Sequence, residues 1–410
     1  MILLAHPIAN ENVRQAACAF REAGLLTEFW TCVHWRKGSL ADRIVTDRLR
    51  SELRRRAFPS ELAPFIKTVP WREFGRHFSS RLRLNWLTKH ETGFFSIDAV
   101  FRSLDRHVAR RLSSLSGLKA VQAYEDGALE SFRIAKSLGI KCIYDHPILY
   151  WRKVRELESE QAQLTPEWAS TLRALSDSDE KLARKDAELA LADIVLTPST
   201  FAKGSLAQAP NLKASVNVVP YGAPPPLIRR ASERASNAKL RVLFVGALSQ
   251  AKGLGYLLQA AARLDREIEL TLIGRRVSDL MPQQKMLERH RWIPSLPHDA
   301  LFEEMSRHDV LVFPSLHEGF GLVITEAMAS GLVVIGSTHC AAPDLITDGT
   351  DGFVVPIRSA AAIEEKIGVL CADRVRLMSM KEAALRRAEA HSWRIYRHRL
   401  AEVAQEVMES

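Results

Sequence analysis

Short apolar runs alternate with amphipathic stretches along most of the chain. In the second half these runs lie at residues 240–245, 269–273, 309–313, 332–335 and 352–355. A strand buried on both faces gives a continuous apolar run, and strands that alternate with helices form a parallel sheet. The first half opens in the same way, with strand patterns at residues 1–5 and 25–32 around a helical pattern at 11–22. The pattern therefore predicts an α/β protein with two Rossmann-like domains.

One loop carries most of the chemical information. It follows the apolar run 310–313 and reads His-Glu-Gly-Phe-Gly-Leu-Val-Ile-Thr-Glu-Ala at residues 317–327. Open α/β sheets bind ligands at such carboxyl ends of strands. The backbone N–H groups of residues 320–322 would point out of a helix start, which favours a phosphate. Glu318 and Glu326 do not bind phosphate, but their carboxylates accept hydrogen bonds from sugar hydroxyls. The loop therefore predicts a site for a sugar joined to a phosphate.

The spacing of these two acids resembles a known signature. Glu, seven residues, Glu, with Gly-Phe-Gly after the first and Ala-Met-Ala-Ser-Gly after the second, is similar to the motif of glycosyltransferase family 4. The resemblance implies a GT-B fold, in which two Rossmann-like domains face each other across a donor and acceptor cleft, and a retaining reaction. It implies that Glu318 contacts the donor sugar, that Glu326 holds the ribose and that Ile293 lines the base. It also implies main-chain contacts to the sugar and diphosphate at Gly319, Phe320, Gly321 and Leu322. The alternative is an ordinary surface loop with solvated glutamates.

A second part of the resemblance lies in the turn that begins the second domain. In the family an Arg after the first Gly and a Lys before the second Gly clamp the diphosphate. Gly246 and Lys252 are present here, but Ala247 occupies the Arg position. A charge-assisted hydrogen bond to phosphate contributes about 1.5–3 kcal/mol. We therefore predict that Arg275 or Arg276, after the next strand, compensates.

The candidate residues of the first domain follow its strands. His146 comes after the strand pattern 140–144, and the resemblance makes it a candidate to contact the donor sugar or the reacting centre. The alternative is an ordinary loop histidine. The acceptor-side candidates are polar residues of two strand-end loops: Asn10, Asn12, Arg14, Glu125 and Asp126. Unlike in many relatives, the first of these loops has no glycine, and Asn10 is equally explained as a helix cap.

The triplet Asp177-Ser178-Asp179 has two interpretations. An Asp-X-Asp pair binds a divalent metal in the other main glycosyltransferase fold, GT-A, where it follows a buried strand. Here the triplet precedes a helical pattern at residues 180–191, so acids at a helix N-terminus explain it more simply. We expect no metal site and no cofactor beyond the nucleotide sugar as co-substrate.

Positive charge is concentrated in residues 40–112, which we interpret as a basic helical insertion. Residues 40–111 hold 16 Lys/Arg against 8 Asp/Glu, in a chain of formal net charge +9. Helical patterns cover residues 42–56 and 97–112, and aromatic residues lie among the arginines between them: Phe65, Trp71, Phe74, Phe78 and Trp86. Such a mixture is typical of a membrane interface. The aromatics are better explained as the core of the insertion, whereas the charge favours an anionic partner. We predict an anionic membrane rather than nucleic acid, since no nucleic-acid-binding motif accompanies the charge.

The remaining composition indicates the compartment. The five cysteines are scattered without paired spacing, so we expect buried thiols in a reducing environment. No basic leader precedes the first apolar run, and no window approaches 18 consecutive apolar residues. Neither a signal peptide nor a transmembrane helix is therefore expected. These features predict a cytoplasmic protein with peripheral contact at the inner membrane face.

Together the patterns predict an acceptor-side domain at residues 1–213 and a donor domain at residues 214–385. In GT-B proteins the last helix returns to the first domain, which is expected here for residues 386–410. The expected activity is retaining, metal-independent hexosyl transfer from a nucleoside-diphosphate sugar to a glycan, lipid-linked or small-molecule acceptor, in polysaccharide or glycoconjugate biosynthesis. The alternatives are a sugar-nucleotide epimerase or phosphorylase on the same fold, and a scaffold protein without turnover. Ala247 favours the last of these.

Overall fold

The computed structural model describes residues 1–36, 38, 42, 50, 53–172, 176–226, 238–277 and 287–409. These residues form two parallel sheets of seven and six strands, each flanked by helices. None of the described helices combines the length and the apolar character that crossing a bilayer requires.

The first sheet lies in the first half of the chain. Its strands are β1 (Ile2–Ala5), β2 (Leu26–Thr31), β3 (Ile66–Thr68), β4 (Ala120–Tyr124), β5 (Lys141–Asp145), β6 (Ile194–Thr197) and β7 (Ser215–Val218). They pair in the order β3-β2-β1-β4-β5-β6-β7. Ile2 and Leu4 pack into one hydrophobic cluster and Leu3 and Ala5 into another, so β1 is buried on both faces. This burial explains its continuous apolar run.

Seven α-helices accompany this sheet in the described ranges. They are α1 (Glu11–Glu22), α2 (Trp71–Arg81), α3 (Ile97–Leu112), α4 (Leu129–Ser137), α5 (Trp151–Leu164), α6 (Asp179–Leu191) and α7 (Thr200–Ser205). Helix α3 confirms the helical pattern predicted for residues 97–112. Of the pattern predicted for residues 42–56, residues 43–49, 51 and 52 lie outside the described residues.

The second sheet contains the remaining strands. They are β8 (Leu240–Val245), β9 (Ile268–Ile273), β10 (Arg291–Ile293), β11 (Val310–Phe313), β12 (Val333–Ser337) and β13 (Gly352–Val355), in the order β10-β9-β8-β11-β12-β13. Its helices are α8 (Leu254–Arg263), α9 (His298–Met305), α10 (Leu322–Ala329), α11 (Ala342–Leu345), α12 (Ala360–Ala372), α13 (Arg374–Ala390) and α14 (Trp393–Glu409). The strands predicted in this half are thus confirmed.

Both sheets have a switch point where the strand order reverses. In the first sheet it lies between β1 and β4, and in the second between β8 and β11. Ligands of open α/β sheets bind outside the carboxyl ends of the strands at this point. The topology alone therefore identifies the loops after β1, β4, β8 and β11 as the expected ligand-binding loops.

The predicted boundary after Lys213 is wrong. Strand β7 pairs in parallel with β6, so the first sheet extends at least to Val218. The error arises because β7 is a short edge strand, and its sequence carries no information about the sheet to which it bonds. The prediction separated this strand from its own sheet.

Two segments cross between the halves of the chain. Trp168, only 1% exposed, lies in the hydrophobic cluster of the second sheet together with Phe244. At the other end of the chain, α14 packs on α1: the Arg397 guanidinium donates to Glu22 at 2.8 Å and to Gln15 at 2.6 Å. The last helix therefore lies against the first domain.

Candidate active site

An ion pair between Lys252 and Glu318 lies at the switch point of the second sheet. The two side chains follow β8 and β11 and are 25% and 24% exposed. The Lys252 ammonium also lies 5.8 Å from the ring centroid of Phe313. The structure thus brings together the residues predicted to contact the diphosphate and the donor sugar. A partly exposed cation and anion at this position suit a ligand that carries both an anionic group and hydroxyls.

Two contacts fix the loops that carry this ion pair against each other. The Leu316 N–H donates to the carbonyl of Ala251 at 2.9 Å. Gly253 has a left-handed φ of 70°, and a Cβ on it would lie 2.0 Å from the carbonyl oxygen of Pro314. Only glycine fits this combination of backbone conformation and close approach. The ion pair is therefore presented by a rigid pair of loops.

The start of α10 presents backbone donors beside the ion pair. Gly321, with a φ of 90°, directly precedes the helix, and a Cβ on it would lie 2.8 Å from the Phe313 ring. In this part of the chain, which the structure describes completely, the N–H groups of Gly321, Leu322 and Val323 donate to no protein acceptor. Such N–H groups and the helix dipole favour an anion.

The turn with the missing arginine lies against the next strand-end loop. A Cβ on Gly274 would lie 1.7 Å from the carbonyl oxygen of Gly246, and the Leu248 N–H donates to the carbonyl of Arg275 at 2.9 Å. Arg275 is exposed and follows β9 immediately beside the turn of Ala247. Arg275 therefore lies in the loop next to the turn in which Ala247 occupies the expected arginine position.

Ile293 ends strand β10 at the edge of the same site. Its neighbour Trp292 donates from Nε1 to the carbonyl of Gly274 at 2.9 Å. The guanidinium of Arg276 lies 4.4 Å from the Trp292 ring centroid, a cation–π distance. Arg276 is therefore engaged with an aromatic ring, which leaves Arg275 as the better candidate to replace the missing arginine.

Glu326 has a partner that the sequence did not suggest. The Nε2 atom of His298, at the start of α9, lies 3.0 Å from a Glu326 oxygen. This hydrogen bond raises the pKa of His298 above its ordinary value. Glu326, whose side chain is 17% exposed, is thus oriented by a neighbouring imidazole. No spacing rule links two residues on different helices, so the sequence offered no signal for His298.

The glutamate loop touches the first domain. A Cβ on Gly319 would lie 2.0 Å from the carbonyl oxygen of Pro147, and the Ser199 hydroxyl donates to the Gly319 carbonyl at 2.5 Å. Nearby, His317 Nε2 lies 2.9 Å from a carboxylate oxygen of Glu158 on α5. The donor-side loop is therefore in direct contact with the strand-end loops of the first domain.

His146 and Glu125 lie buried together at the carboxyl ends of β5 and β4. The His146 Nδ1 is 3.3 Å from Glu125, and the Lys185 ammonium on α6 is 2.7 Å from the other Glu125 oxygen. Burial would raise the pKa of Glu125, but the charges of Lys185 and His146 lower it below its ordinary value. Nδ1 of His146, which is only 1% exposed, thus faces Glu125, whereas Nε2 has no hydrogen-bond partner within the described residues. A buried ring nitrogen without a partner calls for an explanation, and a bound ligand group is one.

Asp126 is held mainly through its backbone. It has a left-handed φ of 68°, and its N–H donates to Glu188 at 2.9 Å. Burial raises the pKa of Glu188 to about 8, and burial together with the Glu125 charge raises that of Asp126. Lys185 lies 3.9 Å from Asp126. The two predicted acids of this loop thus belong to one buried charge network centred on α6, which the sequence did not reveal because its members lie on separate elements.

The residues predicted in the first turn are engaged differently from one another. Asn10 precedes α1 but makes no side-chain capping hydrogen bond. Asn12 is buried and donates to the Tyr221 hydroxyl at 3.2 Å. Arg14 donates from Nε to the carbonyl of Ala57 at 3.1 Å and borders a cavity of about 990 Å³ that His34 also lines. Arg14 therefore borders a cavity large enough for a sugar.

The Asp177 triplet begins a helix, as its simpler interpretation predicted. Ser178 caps α6 by accepting from the Lys181 N–H at 3.3 Å. Asp177, His90 and Glu91 offer ligand atoms that all lie within 4.8 Å of one another. The Lys181 ammonium is 3.1 Å from Asp177, so this group already has a cation beside it.

Comparison with known proteins concerns mainly the second half of the chain. Residues 228–387 match the family model described as "Glycosyl transferases group 1". The D-inositol 3-phosphate glycosyltransferase of Nocardia farcinica is 28% identical over 200 residues, which are 43% of this chain and 44% of that protein. The sucrose synthase of Acidithiobacillus caldus is 30% identical over 186 residues, 42% of this chain and 24% of that protein. The chain spans about half the length, or less, of the curated relatives it matches.

Solved structures share the whole fold. Sucrose-phosphate synthase from Thermosynechococcus elongatus superposes with a TM-score of 0.66 over 100% of this chain and 99% of that one, at 18% identity. Anabaena HepE in complex with UDP-glucose gives a TM-score of 0.60 over 99% of both chains, at 13% identity. These similarities establish the GT-B fold for this chain. The match over residues 228–387, which contains the Glu318–Glu326 signature, relates this part of the chain to the group 1 glycosyltransferases.

Proposed function

We propose that this chain is a retaining, metal-independent hexosyltransferase of family 4. It takes a sugar from a nucleoside diphosphate and delivers it to a hydroxyl of a glycan, lipid-linked or small-molecule acceptor. The acceptor occupies the first domain, and the product enters a polysaccharide or another glycoconjugate. The enzyme acts in the cytoplasm.

One observation carries this proposal. The Lys252–Glu318 pair lies beside unpaired N–H groups of the α10 start, at the switch point of the donor-side sheet. In this arrangement a diphosphate takes the place of Glu318 as the partner of Lys252. The carboxylate of Glu318 is then released to accept hydrogen bonds from the sugar hydroxyls. A site that binds only phosphate would not need the carboxylate of Glu318.

We propose a uridine nucleotide as the donor. Two structural neighbours support this choice: Anabaena HepE was solved in complex with UDP-glucose, and a neighbour from Burkholderia vietnamiensis is a UDP-forming trehalose-phosphate synthase. In this chain Glu326 accepts from the ribose hydroxyls, and His298 holds that carboxylate in place. Ile293 and Trp292 form the edge against which the base packs.

The proposed reaction is a displacement on one face of the sugar. The bond between the anomeric carbon and the phosphate oxygen breaks, and its electron pair leaves with the diphosphate. Lys252 and the α10 N–H groups stabilise this charge, which is the main way in which such a site lowers the barrier. The acceptor oxygen bonds to the anomeric carbon from the side of the leaving group, and its proton passes to the departing phosphate oxygen. The anomeric configuration is therefore retained.

The first domain contributes the other half of the site. The loop that carries His146 and Pro147 touches Gly319, so His146 lies close to the glutamate loop. Its Nε2 atom, which has no partner among the described residues, suits a hydroxyl of the donor sugar. The contact between the loops excludes water, which suppresses hydrolysis of the donor.

A thermal-shift comparison tests the donor site. Wild type, Lys252→Ala and Glu326→Ala are each mixed with UDP, GDP, ADP and their glucose conjugates. A ligand at one hundred times its Kd adds about 2.7 kcal/mol to the free energy of unfolding. We expect the uridine series to stabilise wild type and to stabilise both variants much less. The matched control is Glu365→Ala on α12, whose exposed side chain lies outside the site.

Product analysis separates the remaining functions. NMR of the product should show an anomeric proton with the coupling of the donor, which confirms retention. Conversion of UDP-glucose without any acceptor would indicate an epimerase instead. If no nucleotide stabilises the wild type, the loss of the arginine at Ala247 has removed donor binding, and the scaffold function replaces this proposal.

A further inference from the structure

Helix α2 and the segment after it expose an unusual amount of apolar surface. Trp71, Phe74 and Phe78 lie at helical spacings of three and four residues, which places them on one face. Leu82 continues that face beyond the end of the helix. Six large apolar side chains of this segment are exposed: Trp71 46%, Phe74 50%, Phe78 64%, Leu82 53%, Trp86 71% and Phe94 55%. We call this set the α2 face.

The opposite side of α2 is polar and faces the protein. Glu73 is only 3% exposed and forms ion pairs with Arg56 at 3.0 Å, with Arg76 at 2.8 Å and with His77 at 3.1 Å. The neighbouring Ser79 is 1% exposed. A surface helix of a water-soluble domain has the reverse arrangement, with its apolar stripe towards the core. The buried ion pairs therefore hold α2 with its apolar side outward.

The aromatics do not form a core of their own. Trp71 and Phe94 contact each other at 5.8 Å and enclose the Arg72 guanidinium at 4.4 and 4.5 Å from their ring centroids. Phe78 and Trp86 nevertheless stay about two-thirds exposed. From typical side-chain areas the α2 face presents on the order of 600 Å² of apolar surface, which matches the largest patches of ordinary monomers. Such a patch marks an interaction site.

The charges around the α2 face identify its partner. Residues 71–94 contain five Lys/Arg and two Asp/Glu, and one of the two acids is the buried Glu73. Arg83 and Lys89 are exposed beside Leu82 and Trp86. A second copy of this basic surface would be repelled. A nucleic acid would pair with the charges, but it would leave Phe78 and Leu82 in water. Aromatic side chains rimmed by cations suit the boundary between acyl chains and anionic headgroups.

We infer that the α2 face docks the protein on an anionic lipid bilayer. Phe78, Leu82 and Trp86 enter the headgroup region, and Arg83 and Lys89 contact lipid phosphates. Residues 55–57 connect this face to the candidate acceptor cavity, because Arg56 pairs with Glu73 whereas the carbonyls of residues 55 and 57 hold Arg14. Docking therefore places this cavity behind α2, with only the helix between it and the membrane, which within the proposed function favours a lipid-linked acceptor.

Vesicle sedimentation of the full chain tests the inference. The probes are vesicles of phosphatidylcholine alone and of phosphatidylcholine and phosphatidylglycerol in equal parts, each at low and high salt. We expect binding to the anionic vesicles, weakened by salt. Phe78→Ser/Trp86→Ser should lower the partition coefficient at least tenfold. Arg83→Gln/Lys89→Gln should lower it about fivefold for each side chain.

The matched control is Leu164→Ser/Val375→Ser. These two residues are 58% and 83% exposed on other helices, so the variant removes comparable apolar surface elsewhere. Nucleotide-induced thermal shifts of all variants should equal those of wild type, so failed docking is distinguishable from a failed donor site. Equal sedimentation with both vesicle types, or equal losses in the Phe78/Trp86 and control variants, would overturn the inference. Self-association that depends on Phe78 and Trp86, without vesicle binding, would show that a second copy covers the face.

Discussion

Replacing Gly319 with alanine tests whether contact between the domains belongs to the catalytic state. A Cβ on this residue would lie 2.0 Å from the carbonyl oxygen of Pro147 and 2.8 Å from the Cα of Ile148. Both are backbone atoms, which cannot rotate away as a side chain can. Gly319 is not among the glycines with a positive φ, so alanine adds a steric conflict without backbone strain.

The structure sets the size of the expected effect. Ordinary contact requires about 3.5 Å, so the two loops must separate by about 1.5 Å. This movement also stretches the hydrogen bond from Ser199 to the Gly319 carbonyl. Overpacking of this kind costs about 1–3 kcal/mol. Since 1.36 kcal/mol corresponds to a factor of ten in rate, we expect kcat/KM for sugar transfer to fall about ten- to a hundredfold.

Initial rates of transfer and calorimetric titration with UDP give the two required measurements. In the proposed function UDP occupies only the second domain, so its Kd should change less than threefold, whereas kcat/KM falls. The control is Gly368→Ala in α12, where a Cβ meets nothing within 4 Å. That variant should keep wild-type kinetics and gain about 0.5–1 kcal/mol of stability, because alanine is the better helix former.

Two results would refute this reasoning. Unchanged kinetics in a folded Gly319→Ala protein would mean that the Gly319–Pro147 contact is absent during catalysis. A loss of UDP affinity as large as the loss of kcat/KM would place the effect in the donor loop itself and not between the domains.

Three further substitutions test separate parts of the site. In steady-state kinetics Arg275→Ala should raise the KM for the donor about tenfold or more, and adding Ala247→Arg should return this KM to the wild-type value. An unchanged KM in Arg275→Ala would exclude Arg275 as the replacement cation. Lys185→Met should destabilise the fold by about 3–5 kcal/mol because it removes the cation beside the buried Glu125 and leaves only His146 next to it. Adding Glu125→Gln should recover most of this loss in urea titration, and equal stability of the single and double variants would show that the pair is uncoupled. Burial raises the pKa of Asp145 from 3.8 to about 7, so the wild type loses stability as pH rises through that window. The free energy of unfolding of Asp145→Asn relative to wild type should increase there by about 1.4 kcal/mol per pH unit. A difference in unfolding free energy that does not depend on pH would refute the raised pKa.

The donor half of the site could be predicted from the sequence because its chemistry is local. Glu318, the glycines after it and Glu326 lie within one loop and one helix, so a single strand–loop–helix pattern places them all. Lys252 follows a second such pattern. The sequence did not reveal that Lys252 and Glu318 pair with each other, since the two residues are 66 positions apart and meet only through the β8–β11 neighbourhood.

The first domain was harder for a physical reason. The buried Glu125 takes its counter-charge from Lys185, which lies on α6 about sixty positions away. No local pattern links a strand-end acid to a lysine on a distant helix, so the sequence did not reveal this pair. The boundary error at Lys213 has the same origin, because the partner of an edge strand is a tertiary choice.

Helix α2 shows where pattern reading is ambiguous in principle. An amphipathic sequence establishes that a helix has an apolar face, but it does not tell which way that face points. The deciding residue is Glu73, since its ion pair with Arg56, which lies outside the helix, can form only if the polar face is turned inward. The same aromatic residues would be a core if Glu73 were apolar. The orientation of this helix therefore depends on the buried carboxylate of Glu73. That orientation decides whether the aromatic side chains form a packing surface or a docking surface.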